Sequence, residues 1–187
     1  MPSLLDQLAR ADARAANEAI HHWAATANPE LDELLALLHL VPDLRGRLTG
    51  FTVVEGPVGP NTSRQFEDVI WALGEGFRHV LKRSPKLRQH PTLFKHIGAL
   101  CLDTNNRKGR ESFMMLLGQY GGPNQVPMLV SLLADPEVEG HALLGLRSLK
   151  APGGREAAKR LLSDGNAWKR TEAKKYLRKL YPDDVGT

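Results

Sequence analysis

The sequence predicts an all-α fold of stacked helical hairpins, with one long loop or short β segment near residues 46–61. Three observations predict it. Apolar residues recur at spacings of three and four over most of the 187-residue chain. In the second half, aspartates recur behind short apolar runs. Glycine and proline are concentrated in one stretch, GRLTGFTVVEGPVGPN. Hydrophobic residues make up 42% and charged residues 25%, a balance that excludes wholesale disorder.

The elements follow in order. Ser3 and Asp6 form a capping box with Asp in place of Glu. Leu4, Leu5, Leu8, Ala15, Ala19, Ile20 and Trp23 then predict one helix from Ser3 to Ala27. Asn28 and Pro29 read as N-cap and first residue of a second helix, with Leu31, Leu34, Leu35 and Leu38 on its apolar face, ending before Pro42. From Arg45 to Asn61 the period is lost. Phe51 to Val54 is β-branched and aromatic, so a short strand or extended segment is expected there, its pairing left open. Helical spacing returns at Ser63 with Phe66, Val69, Ile70, Leu73, Phe77, Val80 and Leu81, and Ser84-Pro85 stops it. Pro91 to Leu102 forms the next helix, with Leu93, Phe94, Ile97, Leu100 and Cys101 on one side.

The second half contains an internal repeat. LFKHIGALCLD with GRESFMMLLGQYGG, QVPMLVSLLAD with EGHALLGLRSLKAPGG, and REAAKRLLSD with KRTEAKKYLRKLY align as helix, aspartate turn, helix. The marker aspartates are Asp103, Asp135 and Asp164, spaced 32 and 29 residues apart. A two-helix unit cannot bury its apolar face alone, so such units stack into a continuous core. The expected organisation is a single domain over 1–187, with N-terminal helices and the long loop over 1–62 and the repeat array over 63–187.

The pattern LLADPEVEGHALLGLRSL, with its apolar pair, Asp-Pro turn, Ala142, Leu143, Leu146 and Leu149, resembles the short lyase-type HEAT-like repeat. The resemblance covers the C-terminal half and implies a right-handed α-α superhelix of HEAT-like hairpins. The third copy departs from it by an insertion around Trp168, and its last helix is rich in Lys and Arg, as a terminal capping repeat would be. HEAT-like arrays serve as scaffolds, as inhibitors and, in one glycosylase family, as DNA-repair enzymes. Small HEAT-like proteins also occur among the immunity proteins of bacterial toxin systems, which this chain resembles in size and plan.

The chain has one cysteine, Cys101, so neither a disulfide framework nor a cysteine-based zinc site forms within it. Cys101 lies on an apolar stripe and is expected to pack as a small hydrophobe. The N-terminal sequence lacks a signal-peptide pattern, and no apolar run approaches the length of a membrane span. A cytoplasmic location, no membrane contact and no cofactor are therefore expected. Nucleotide-binding glycine motifs and a nucleophile elbow are absent. The seven histidines lack metal-ligand spacing, so no metal is expected.

Glu67, Trp71 and Glu75 stand at i, i+4 and i+8 and share a helix face. An acid beside an aromatic is what a base-excising enzyme uses, the ring stacking on a base and the carboxylate assisting bond cleavage. That makes Glu67 and Glu75 the catalytic candidates. The bland alternative is an amphipathic helix with its acids in water.

The net charge of +4 conceals an asymmetry. Residues 1–62 hold 4 basic and 8 acidic side chains, and residues 63–187 hold 21 and 13. Between Gly76 and Arg110, nine basic residues meet one acid, Asp103. They are Arg78, Lys82, Arg83, Lys86, Arg88, Lys95, Arg107, Lys108 and Arg110, and they form the expected partner-binding surface. The expected function is non-catalytic: recognition of a protein partner, as a toxin-neutralising immunity protein would do. The alternatives are a nucleic-acid binder of the HEAT-like glycosylase type and a structural or oligomerisation module. The oligomeric state is left open.

Overall fold

The structure is a computed structural model and describes residues 2–56 and 59–185. It is mostly helical, as the all-α expectation requires. The chain forms two compact units, Met1–Phe113 and Met114–Thr187. The first begins with α1 (Leu4–Leu8), α2 (Ala13–Thr26), α3 (Leu31–His39) and α4 (Val41–Arg47). The strands β1 (Phe51–Gly56) and β2 (Gly59–Arg64) follow, then α5 (Gln65–Arg83), α6 (Pro85–Arg88) and α7 (Pro91–Leu102). A 3-10 segment, Thr104–Arg110, leads into α8 (Glu111–Tyr120). The second unit continues with α9 (Val126–Ser131), α10 (Glu139–Ser148), α11 (Arg155–Leu161) and α12 (Ala167–Leu180).

Two N-terminal expectations need correction. The single helix from Ser3 to Ala27 is two helices. The Ser3–Asp6 capping box starts α1, but Asp12 accepts a hydrogen bond from the Ala15 N–H at 2.8 Å and starts α2 afresh. Leu4, Leu8, Ala16 and Ile20 are all buried, so the apolar spacing runs on through the break. The second helix begins at Leu31 behind Glu30, not at Asn28-Pro29. The second helix does end before Pro42, at His39, and Pro42 lies in the first turn of α4, where its missing N–H leaves no bond unmade.

The expected extended segment is a strand, and it is paired. β1 and β2 form an antiparallel hairpin with Phe51 opposite Arg64 and Val53 opposite Thr62. The Arg64 guanidinium lies over the Phe51 ring at 5.1 Å, a cation–π contact across the strands. Residues 57 and 58 of the expected 46–61 loop lie outside the described residues.

The long helix α5 organises the first unit. Its apolar side, Phe66, Val69, Ile70, Leu73, Phe77, Val80 and Leu81, is buried, and it packs against α2. Phe77 meets Trp23 at 6.0 Å and Phe113 at 5.6 Å between ring centres. Burying a side chain of this size contributes about 2 kcal/mol. Its opposite side presents Trp71 and Lys82 to water.

In the second unit α10 packs against α9 and α12, and α12 against α11. Buried Glu139 pairs with Arg160 and Lys169, each at 2.6 Å, and buried Glu172 pairs with Arg147 at 2.9 Å and Lys175 at 2.7 Å. The three marker aspartates make one local structure. The Oδ1 atoms of Asp103, Asp135 and Asp164 each accept from the backbone N–H two residues on, at 3.0, 3.0 and 2.7 Å. Gly122 and Gly153, from the two Gly-Gly turns, adopt positive φ of 72° and 106°, where a side chain would be strained.

His141 stacks on Trp168 with ring centres 4.4 Å apart. Burial pulls its pKa from 6.5 down to about 4, against an upward pull from Glu172. Between those values the unfolded chain binds a proton that the folded chain does not. Stability therefore falls as pH drops from 6.5 to about 4. The full shift corresponds to about 3 kcal/mol. Urea unfolding across this window should show His141→Phe, which keeps a ring on Trp168, losing less stability than wild type. Equal losses in the two proteins would contradict the assignment.

Candidate functional site

In the first unit, residues of the hairpin, α5 and the segment leading into α8 line an open cleft of about 430 Å³. Two aromatic side chains stand exposed there, Phe51 at 60% and Trp71 at 42%. Val53, also 60% exposed, lies on the same face of β1 as Phe51, two residues along. The charged lining is mixed: Arg64, Arg107 and Lys108 against Glu67, Asp68 and Glu111.

One side of the cleft is a short segment held unusually firmly. Arg45, from α4, donates through Nη1 to Asp103 at 2.8 Å and to Asn106 at 2.7 Å. Asn106 donates onward to the Leu100 carbonyl at 3.1 Å. Arg110 donates to the carbonyls of Arg107 at 2.8 Å and Cys101 at 3.0 Å. Burial raises the Asp103 carboxyl, but the Arg45 and Asn105 hydrogen bonds outweigh it and hold its pKa below the ordinary value. Arg107 sits at φ 48°, ψ −133°, a conformation that costs a non-glycine residue roughly 1–3 kcal/mol. Its Nε reaches Glu67 at 3.0 Å. Gly109 lies so close to α5 that a Cβ there would stand 3.0 Å from the Glu67 carbonyl oxygen and 3.0 Å from Ile70 Cβ.

The expected catalytic acids are placed differently from one another. Glu67 is not a solvated acid on an outer helix face; it is 7% exposed and paired with Arg107. Glu75 is paired with Arg78 through Oε2, and its Oε1 is buried with no hydrogen-bond partner among the described residues. Trp71 lines the cleft with Glu67, whereas Glu75 does not.

The nine-residue basic run is not one surface. Arg110 is a correction: it is fully buried, because its guanidinium serves backbone carbonyls, and no partner can reach it. Arg83 donates to the carbonyls of Ala24 at 2.8 Å and Ala27 at 3.1 Å, closing the end of α2. Arg78 is tied to Glu75 and Arg107 to Glu67. Lys86 approaches Glu30 at 3.6 Å with both side chains exposed, a contact worth little. Arg88 is half-buried. Lys82, Lys95 and Lys108 are exposed and make no ion pair among the described residues. Of the nine, only Arg107 and Lys108 line the aromatic cleft.

Sequence reading missed Phe51, Arg64 and Arg45 as site residues. Strand register would have placed the first two opposite each other. Nothing in the sequence links Arg45 to Asp103, 58 residues away. Cys101 is buried as expected, and burial pushes its thiol pKa well up. Among the described residues, no group of three or more His, Cys, Asp or Glu side chains could hold a metal ion. No helix among them is long and apolar enough to cross a membrane.

Searches for relatives gave no match to any protein-family model and none to a curated protein.

The tight seat of the segment on α5 is measurable. Gly109→Ala should destabilise the protein by about 1–3 kcal/mol, because the new methyl meets backbone that cannot move aside. Lys108→Ala, next to it and exposed, should change stability by no more than about 0.5 kcal/mol. Guanidinium unfolding of both variants checks the contrast, and equal effects would refute the close packing.

Proposed function

We propose that the chain is a non-catalytic, helical-repeat binding protein that engages a protein partner through the aromatic cleft of its first unit. One observation carries this reading. Exposed Phe51 and Trp71 stand in a cleft whose lining holds as many acids as bases. Aromatic and arginine side chains in a shaped cavity are the usual anchors of protein interfaces. A nucleic-acid track would instead need a net basic surface. Here Glu67, Asp68 and Glu111 offset the cleft's cations, and much of the basic run is engaged within the protein. The candidate acids support binding rather than catalysis, since Glu67 and Glu75 each hold a guanidinium. The HEAT-like arrangement belongs to the same proposal. Its support is the matching turn at Asp103, Asp135 and Asp164.

The test is a comparison of captured proteins from cells that express the chain. Wild type should retain a protein that the Phe51→Ala/Trp71→Ala double variant loses and that Lys82→Ala/Lys95→Ala keeps. All three chains should have the same circular dichroism and melting temperature. Capture that survives the aromatic changes, or is abolished by nuclease, would overturn the proposal. In parallel, duplex and single-stranded oligonucleotides should show no saturable binding at about 50 mM salt, where phosphate contacts are strong.

A further inference from the structure

Among the described residues the hairpin is a two-stranded sheet, so each strand has one edge without a partner strand. Two observations fix which backbone groups face those edges. The Gln65 N–H donates to the Gly50 carbonyl at 2.9 Å, and in an antiparallel ladder bonded pairs alternate with unbonded ones. Pro60, opposite Glu55, has no N–H to donate. Both observations place the ladder bonds at the pairs Thr52–Ser63, Val54–Asn61 and Gly56–Gly59. Phe51, Val53 and Glu55 therefore turn their N–H and C=O groups away from β2. We propose that this outer edge of β1 receives an extended segment of the protein partner, which pairs with it as a third strand. The proposal rests on the protein-binding reading of the cleft and specifies how the partner is held: by its backbone, with apolar side chains at alternate positions.

Three features select a strand as the occupant. The edge is free: among the described residues, neither Phe51 nor Val53 makes a hydrogen bond outside the hairpin. Donors and acceptors repeating at strand spacing are matched by the backbone of another strand. The edge is also unguarded. β1, FTVVEG, carries neither the proline nor the lysine that commonly blunts an edge. The opposite edge is blunted, since Pro60 faces outward on β2 and α5 packs against that strand. The side chains agree with the backbone. Phe51 and Val53, each 60% exposed, stand on one face of β1. A strand added there sets every second side chain beside them, and apolar residues at those places would take both out of water. Phe51 also lines the cleft with Trp71, so edge and cleft are continuous and one partner segment can use both. A second copy of the chain pairing through β1 alone would supply six residues a side, well short of the roughly 20–30 of a stable interface.

The probe is the capped peptide acetyl-Lys-Thr-Val-Thr-Val-Thr-Val-Lys-amide, which has strand alternation and a complete set of backbone donors. It is titrated into the full chain, and backbone amides are followed by proton–nitrogen correlation. The amide protons of Phe51, Val53 and Glu55 should shift downfield and saturate. A counterpart N-methylated at all six inner residues, which cannot donate from either edge, should bind at least about tenfold more weakly. Val53→Pro removes one outward N–H and takes no bond from the ladder, as Pro60 does on β2, and it should abolish saturation. Val53→Thr keeps the N–H and should bind within about threefold of wild type. If Val53→Pro lowers the melting temperature, the N-methylated peptide makes the same test on the unaltered chain. No saturable shift at Phe51 and Val53 up to about 10 mM peptide, or equal binding of the N-methylated peptide, would overturn the proposal. Amides of β1 that become protected as the chain dimerises in sedimentation would give the edge to a second copy and overturn it as well. Failed strand addition beside intact Trp71-dependent capture would remove the third strand alone. Intact strand addition beside capture that ignores Trp71 would remove the aromatic cleft alone.

Discussion

Glu67 is a carboxylate set into the buried side of α5, and it cannot stay there uncompensated. Arg107 compensates it at 3.0 Å. To reach it, the chain passes through an unfavourable backbone conformation at Arg107 and then runs close against α5 at Gly109. The rest of the segment is fastened from other directions: Asp103 and Asn106 to Arg45, and Arg110 to the end of α7. The segment could be read as a basic loop in solution. It is instead a wall that gives the aromatic cleft a fixed side. The Glu67–Arg107 pair joins that wall to α5.

The same interaction explains why the electrostatics differ from a simple count. Nine cations against one anion over residues 76–110 suggest a strongly basic face. Folding brings Glu30, Glu67 and backbone carbonyls to those cations from elsewhere in the chain. What remains is uneven rather than uniformly positive. The aromatic cleft is balanced, with Arg64, Arg107 and Lys108 set against Glu67, Asp68 and Glu111. Such a pattern suits a specific contact with a protein surface better than a delocalised attraction to a polyanion.

Local signals in the sequence were legible where local physics decides. Pro91 to Leu102 is a helix with those same bounds, α5 ends before Ser84-Pro85, and the Ser3–Asp6 box caps α1. The aspartates that mark the repeat make the same turn in all three places, because an Asp side chain reaches its own backbone two residues on without outside help. Of the misread places, one is a local cap and the others depend on partners distant in sequence. Asp12 breaks one predicted helix into two while the apolar spacing continues, since both pieces face one core. The Phe51–Arg64 pair depends on strand register across a turn. The candidate site was half legible. The sequence pointed to Glu67, Trp71 and Arg107, but the burial of Arg110 and the role of Arg45 follow only from tertiary packing.

The central claim is that Glu67 and Arg107 act as one unit to hold the 103–110 segment on α5. A double-mutant cycle with Glu67→Gln and Arg107→Gln, read by urea unfolding, tests it most directly. The account predicts a favourable coupling of roughly 1–3 kcal/mol, as expected for contacting residues in one network. A coupling within about 0.3 kcal/mol of zero would mean that the two side chains act independently, and the wall they are said to hold would have another cause.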